Sequence, residues 1–246
     1  MIRGDGNPLA LGSRKPPVTA NLGVPAYFYP YPGDPHWAAL ACAARGTFLV
    51  ITPDSGPGAG PDPNYLRVLE TLRHGETVVY GYVDSAYALR DVATLLAEAS
   101  TYQRWYGVGG IFVDQVAATP EHRGAYQELS DCLRAKGLRI AFNPGQPIVD
   151  PTYLDLADQV AVFEGTRAAY LRCAFPRWMR DAPADKLWHL VYEVDDAAQY
   201  ARVAALASRR NAGTFFATNG RMPNPWDRLP PYWAQMVGAS AITPNG

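Results

Sequence analysis

A chain of 246 residues that is 48% hydrophobic and 18% charged holds ample apolar material for one large core and lacks the composition of a disordered protein. Its net charge of -1 gives no general attraction to nucleic acid or to anionic membranes. No apolar run approaches the roughly 20 residues needed to span a bilayer.

The opening stretch, Met1 to Ala20, carries Arg and Lys but no continuous apolar core, so it reads as a flexible lead-in and not as a signal peptide. Residues 21–246 are then expected to form one folded domain. Within it, apolar β-prone runs alternate with helical patterns. The first strand is expected over Val24–Pro30, followed by a helix around His36–Ala44. The second, Thr47–Pro53, leads into a Gly/Pro-rich loop, Ser55–Pro63. A helix follows with Tyr65, Val68, Leu69 and Leu72 on one face, the i, i+3, i+4, i+7 spacing of an amphipathic helix.

The third strand, Thr77–Asp84, precedes a helix over about Arg90–Tyr106. The fourth is Gly109–Val116, an apolar run ending at Asp114 and Gln115. A helix near Glu121–Lys136 leads to the fifth strand, Leu138–Phe142, closed by Asn143-Pro144-Gly145. The sixth is Gln159–Glu164 and the seventh Leu187–Val194. A helix over Asp196–Arg209, the eighth strand Gly213–Asn219 and a last helix, about Pro231–Gly238, complete the chain.

Eight strands alternating with helices at intervals of roughly 25 to 30 residues match the βα unit, and near-continuous apolar strands suit a parallel sheet covered by helices. About 250 residues is the usual size of a (β/α)8 TIM barrel. A doubly wound open sheet would carry a glycine-rich first turn, whereas the first strand here ends Tyr-Phe-Tyr-Pro-Tyr-Pro. The expected fold is therefore a single-domain α/β barrel.

Function in such a barrel lies at the C-terminal ends of the strands. These ends carry Tyr27 and Tyr29, Asp54, Tyr82 and Asp84, Asp114 and Gln115, Asn143, Glu164, Tyr192 and Glu193, and Asn219. The rim is acidic and aromatic, without a cluster of lysines or arginines of the kind phosphorylated or carboxylated substrates require. A neutral or cationic oligo- or polysaccharide fits it better. Asp114 and Glu164 stand out because each directly follows an apolar run, and strands four and six would set them across part of the barrel mouth. Either acid alone could cap a helix or bond loop amides. Together, on an aromatic rim, they suggest the acid pair of glycoside hydrolysis, one ionised and one protonated.

Other residues point elsewhere. Asp54 precedes a Ser-Gly-Pro-Gly turn, where Asp is common for local hydrogen bonding. Glu193 is a rival acid, although alternation sends it to the face opposite Tyr192. Asp195 and Asp196 suit the start of the following helix. Trp105 and Tyr106 end a helix and read as core, and His189, inside a strand, reads as packed. No His, Cys or acid spacing suggests a metal, so the reading assigns no metal and no cofactor. No Gly-x-Ser-x-Gly elbow supports a serine hydrolase. Cys42, Cys132 and Cys173 are expected to be buried free thiols.

Several blocks taken together are more specific: Val24-Pro25-Ala26-Tyr27-Phe28-Tyr29-Pro30, Pro53-Asp54-Ser55-Gly56-Pro57-Gly58 and Gly81-Tyr82-Val83. After them come the run from Trp105 to Asp114, then Asn143-Pro144-Gly145 and Phe163-Glu164. In this order they resemble the spherulation-specific (spherulin-4-like) family, over about Val24 to Glu164. The resemblance implies a retaining barrel glycoside hydrolase acting outside the cell on α-1,4-linked N-acetylgalactosamine, as in the galactosaminogalactan of fungal biofilms. It also implies Asp114 as nucleophile and Glu164 as acid/base. The family usually reads Asp-Glu where this chain reads Asp114-Gln115. That departure raises an alternative, a carbohydrate-binding barrel without turnover. Adjacent strand residues face opposite ways, which favours retained activity.

Overall fold

The computed structural model describes residues 20–42, 47–73, 77–146 and 150–240. Apart from Ala20, the expected lead-in lies outside these residues, as do Ala43 and Ala44 of the first expected helix. Eight parallel strands close into one barrel in chain order, β8 pairing with β1. The strands are β1 (Asn21–Ala26), β2 (Phe48–Ile51), β3 (Val78–Asp84), β4 (Gly110–Asp114), β5 (Arg139–Phe142), β6 (Gln159–Thr166), β7 (Leu187–Tyr192) and β8 (Thr214–Ala217). The helices are α1 (Pro35–Ala41), α2 (Pro63–Leu72), α3 (Val92–Tyr106), α4 (Arg123–Ala135), α5 (Arg167–Arg172), α6 (Ala197–Arg209) and α7 (Trp233–Ser240).

Helix starts follow from local chemistry. Asp34, Asp62, Asp91 and Asp196 each accept hydrogen bonds from backbone N–H groups of the first turn of α1, α2, α3 and α6, satisfying donors that no helical carbonyl reaches. Pro35 and Pro63 supply the fixed φ suited to a first helical residue.

Two departures from the expected pattern matter. β1 begins and ends earlier than expected, so Tyr27 and Tyr29 lie beyond its end and belong to the mouth. Between β5 and β6 the described residues contain a 3-10 turn, Pro151–Asp155, and no α-helix.

The barrel interior is filled in layers, as the closed geometry requires. Near the base, Phe48 packs on Tyr80 at 5.1 Å and on Trp188 at 4.9 Å between ring centres. Gly23 and Gly110 make room for these rings. A Cβ on Gly110 would lie 2.5 Å from Tyr80 Cε1, and one on Gly23 would lie 2.6 Å from Phe48 Cζ. Above this layer stand Pro25, Phe112 and Leu190, which floor the cavity at the mouth.

β6 departs from regular pairing in a way that decides the chemistry. Ala161 pairs with Trp188, but Phe163, not Val162, pairs with His189, so one extra residue is accommodated between them. Trp188 and Leu190 face the interior, where Trp188 packs on Phe112 and Leu190 lines the cavity. Because the bulge places Glu164 opposite Leu190, the carboxylate also turns inward. In unbroken register Glu164 would meet Val191 and point outward, since a one-residue slip exchanges the two faces of a strand.

His189 is packed as expected. It is fully buried, and the Tyr170 hydroxyl lies 2.7 Å from its Nδ1. Burial, and secondarily the charge of Arg210, pushes its pKa down to about 3. Tyr106 is buried and Trp105 partly so. The cysteines are free but not buried: Cys42 is exposed, and Cys132 and Cys173 are partly exposed. Cys42 and Cys173 sit at helix C-caps, and Cys132 lies off the face of α4 that buries Tyr126, Leu129 and Leu133.

Candidate active site

β4 carries Asp114 to the mouth on the same inward face as Phe112, and there the strand stops. Gln115 adopts a left-handed backbone at φ 51°, which ends the ladder and turns the chain away. Asp114 Oδ2 accepts the Tyr82 hydroxyl at 3.0 Å. Asp114 Oδ1 accepts Asn143 Nδ2 at 2.9 Å, and the same nitrogen donates to Glu164 Oε2 at 2.5 Å. Glu164 Oε1 takes a longer bond from Trp226 Nε1 at 3.3 Å. The facing oxygens of the two acids therefore lie no further apart than the two Asn143 bonds laid end to end. The two acids are thus joined through one amide nitrogen.

Burial pushes both carboxyls above their ordinary range. For Asp114 this is opposed by the Gln115 backbone N–H and the Tyr82 hydroxyl, and to a lesser degree by Asn143. For Glu164 it is opposed by Asn143 and Trp226 and reinforced by the nearby Asp114 charge. Asp114 thus has three donors that favour its anion, and Glu164 has two. Two interacting carboxyls that share a donor hold a single proton more readily than none, and it resides more easily on Glu164. The hydroxyls of Tyr82 and Tyr27 are held well above the ordinary tyrosine range, first by burial and then by the Asp114 charge, so both remain protonated donors.

These groups face a cavity of about 260 Å³ that also includes Pro25, Tyr27, Phe112 and Leu190. One wall is the loop after β8, Met222 to Trp226. It is pinned to the end of β1: the Tyr27 N–H donates to the Trp226 carbonyl at 3.2 Å, and Asn224 Nδ2 donates to the Tyr27 carbonyl at 3.1 Å. Behind that wall, Met222, Pro223 and Asn224 also border a second cavity of about 450 Å³ with Asn219, Gly220, Arg221, Asp227 and Arg228.

Of the residues predicted from sequence, Asp114, Glu164, Asn143 and Tyr27 line the first cavity, and Tyr82 touches it through Asp114. Asp84 pairs with Asp114 in register and accepts Gln115 Nε2 at 3.1 Å and the Ala86 N–H at 2.7 Å. Gln115 thus turns its amide to Asp84, away from the acid pair. Tyr29 lies outside the cavity, its hydroxyl donating to Asp62 and accepting from Asn64. Asp54 belongs to the turn beyond β2, its N–H bonded to the Gly56 carbonyl. Tyr192 stands edge-on to Trp226. Glu193 takes a left-handed backbone at φ 59° and lies 3.9 Å from Arg221, while Asn219 borders the second cavity.

Sequence reasoning did not find Trp226 or the Met222–Asn224 wall. The available signal was a long loop after the eighth strand that carries one tryptophan. Among the described residues no group of three or more His, Cys, Asp or Glu could hold a metal ion, and no helix is long and apolar enough to cross a membrane.

A closed parallel barrel with two partly buried carboxylates set around a cavity at its strand ends has the layout of a barrel glycoside hydrolase. The model of spherulation-specific family 4 matches residues 21–240, and the chain belongs to that family. Aspergillus clavatus Sph3, solved in complex with GalNAc, superposes with a TM-score of 0.79 at 25% identity, covering 90% of this chain and 97% of that one. The glycoside hydrolase domain of PgaB (BpsB) from Bordetella bronchiseptica gives a TM-score of 0.57 at 13% identity, over 92% of this chain and all of that one. A GH18 chitinase from Pseudoalteromonas aurantia gives 0.58 at 11%, over 89% and 100%. The last two are likenesses of fold alone. No curated protein sequence matches the chain.

Proposed function

We propose that this protein is a retaining endo-glycoside hydrolase that cleaves α-1,4-linked, N-acetylgalactosamine-containing polysaccharide. Asp114 is the nucleophile and Glu164 the acid/base. The observation that carries the reading is the Asn143 amide shared by the two acids. It holds the facing oxygens of the two acids close together, which supports the retaining geometry of about 5–5.5 Å over the wider inverting one.

Glu164, with fewer donors, holds the proton and delivers it to the leaving oxygen as Asp114 Oδ attacks the anomeric carbon. The sugar is then esterified to Asp114 and Glu164 is ionised. In that state Glu164 takes a proton from water, the hydroxide adds to the anomeric carbon, and Asp114 leaves as carboxylate. General acid help of this kind contributes typically 10²–10⁴-fold. The GalNAc bound by Sph3 supports the choice of sugar, and the acidic, aromatic mouth supports a neutral or cationic chain.

The rival reading is a binding barrel without turnover, and it rests on Gln115. The contact of that amide with Asp84, outside the acid pair, weighs against it. The test is incubation with fully acetylated and partly deacetylated α-1,4-galactosamine oligomers. Shorter products are expected, their new reducing ends in the α-configuration by NMR, with loss of cleavage in Asp114→Asn and in Glu164→Gln. Unreduced cleavage by both variants overturns the assignment, and binding without any cleavage by the wild type favours the rival.

A further inference from the structure

The connection from β3 to α3 contains three consecutive residues in the left-handed region, none of them glycine: Ala86, Tyr87 and Ala88, at φ 46°, 53° and 68°. Each such residue costs roughly 1–2 kcal/mol, so the conformation persists only because its surroundings impose it. Those surroundings are the end of β4. The Ser85 N–H donates to the Asp114 carbonyl at 3.0 Å, and the Tyr87 N–H donates to the Gln115 carbonyl at 2.8 Å. The Ser85 hydroxyl reaches both carbonyls, and the Ala86 N–H bonds the Asp84 carboxylate at 2.7 Å. The turn is fastened to the backbone of the proposed nucleophile.

What this strained turn delivers is an aromatic ring at the mouth. Tyr87 is 50% exposed, and its hydroxyl approaches Gly145, lying 3.9 Å from where a Cβ on that glycine would stand. Gly145 donates its N–H to Asn143 Oδ1 at 3.0 Å, the amide that joins the acid pair. Tyr87 therefore stands beside the loop after β5 that carries Asn143, outside the residues that line the catalytic cavity. The cavity itself, at about 260 Å³, is below the roughly 300–1,000 Å³ of sites that engulf a drug-sized ligand. It holds little beyond one sugar ring, and the rest of a polymer must lie on the rim.

We infer that Tyr87 is a stacking platform for a neighbouring sugar of the bound chain, forming a subsite outside the catalytic cavity. The apolar face of a pyranose matches an exposed aromatic ring, and fastening the backbone of the turn through Ser85 and Gln115 removes part of the entropy cost of ordering it on binding. The inference rests on the proposed carbohydrate substrate.

The test measures binding of α-1,4-galactosamine oligomers of graded length, from the single sugar upward, by calorimetry. It uses the inactive Asp114→Asn background with Tyr87 intact, Tyr87→Ala or Tyr87→Phe. Cleavage of the same oligomers is followed with Asp114 present. Tyr87→Ala should weaken binding of long oligomers roughly three- to tenfold and leave the single sugar unaffected, and Tyr87→Phe should restore long-chain binding. Equal long-chain affinity in Tyr87→Ala and its parent overturns the platform while leaving the proposed hydrolase intact if cleavage persists. A loss that is the same at every length, or that Phe does not restore, also overturns it. Absence of both binding and cleavage with Tyr87 and Asp114 intact overturns the platform together with the proposed function.

Discussion

Replacing Asn143 by alanine removes the one donor that both acids share. Asn143 is 4% exposed, so water does not readily take the place of its amide. When Glu164 gives up its proton in the transition state, Oε2 loses a hydrogen bond to a developing anion. Such bonds are worth about 1.5–3 kcal/mol, which corresponds to a fall in kcat of roughly 10- to 150-fold. The pH profile carries a second signature. Asn143 lowers the pKa of both acids, so its removal raises both. The acidic limb, where Asp114 must ionise, moves to higher pH, and the alkaline limb, where Glu164 must stay protonated, moves the same way. The whole bell-shaped profile shifts upward. Steady-state rates on one oligomer across the pH range supply both readouts. A variant with wild-type kcat and unmoved limbs would refute the shared role of Asn143.

Four further perturbations follow from the same geometry. The folded-state pKa of Asp114 and of Glu164 is raised above the unfolded value, so ionising each in the fold costs stability. The cost is absent below the unfolded carboxylate range, near about 4, and complete above the folded pKa. Asp114→Asn and Glu164→Gln should therefore melt higher than wild type at neutral pH, with the gap closing in acid; equal melting curves at all pH values would contradict this. Gln115→Glu places a second carboxylate beside Asp84, where Nε2 now donates at 3.1 Å. It should cost about 1–2 kcal/mol at neutral pH, recover in acid and leave kcat within about threefold; an unchanged denaturation midpoint would sink the argument. Gly110→Ala drives a Cβ to 2.5 Å from the Tyr80 ring and should lose about 1–3 kcal/mol in urea unfolding. Gly124→Ala in α4, whose Cβ would meet nothing within 4 Å, should gain up to about 1 kcal/mol.

The barrel is legible in the sequence because most strands are near-continuous apolar runs and the principal helices repeat their apolar residues at turn spacing. Both signals are local and follow directly from burial. Asp114 is legible for the same reason: an acid that ends a core run has to emerge at a strand end. Tyr29 shows the limit. Its aromatic neighbours and its place near the end of β1 mark it as a rim residue, but its hydroxyl is claimed by Asp62 and Asn64, side chains brought there by another βα unit. Trp226 is the converse, a cavity residue whose loop is held at the mouth by bonds to the Tyr27 backbone and to Glu164. The cysteines fail because Cys42 and Cys173 end their helices, where turn spacing says little about burial.

The extra residue in β6 sets the phase of everything after it. Counting from Ala161, Glu164 falls on the cavity side only because Val162 is accommodated out of step. Pairing Val162 in step with His189 would leave every proposed catalytic residue in the chain while moving Glu164 opposite Val191 and turning its carboxylate toward the helices. A relative or a redesigned barrel can therefore keep the whole catalytic vocabulary and still be silent. In this fold, competence is written in strand register as well as in residue identity.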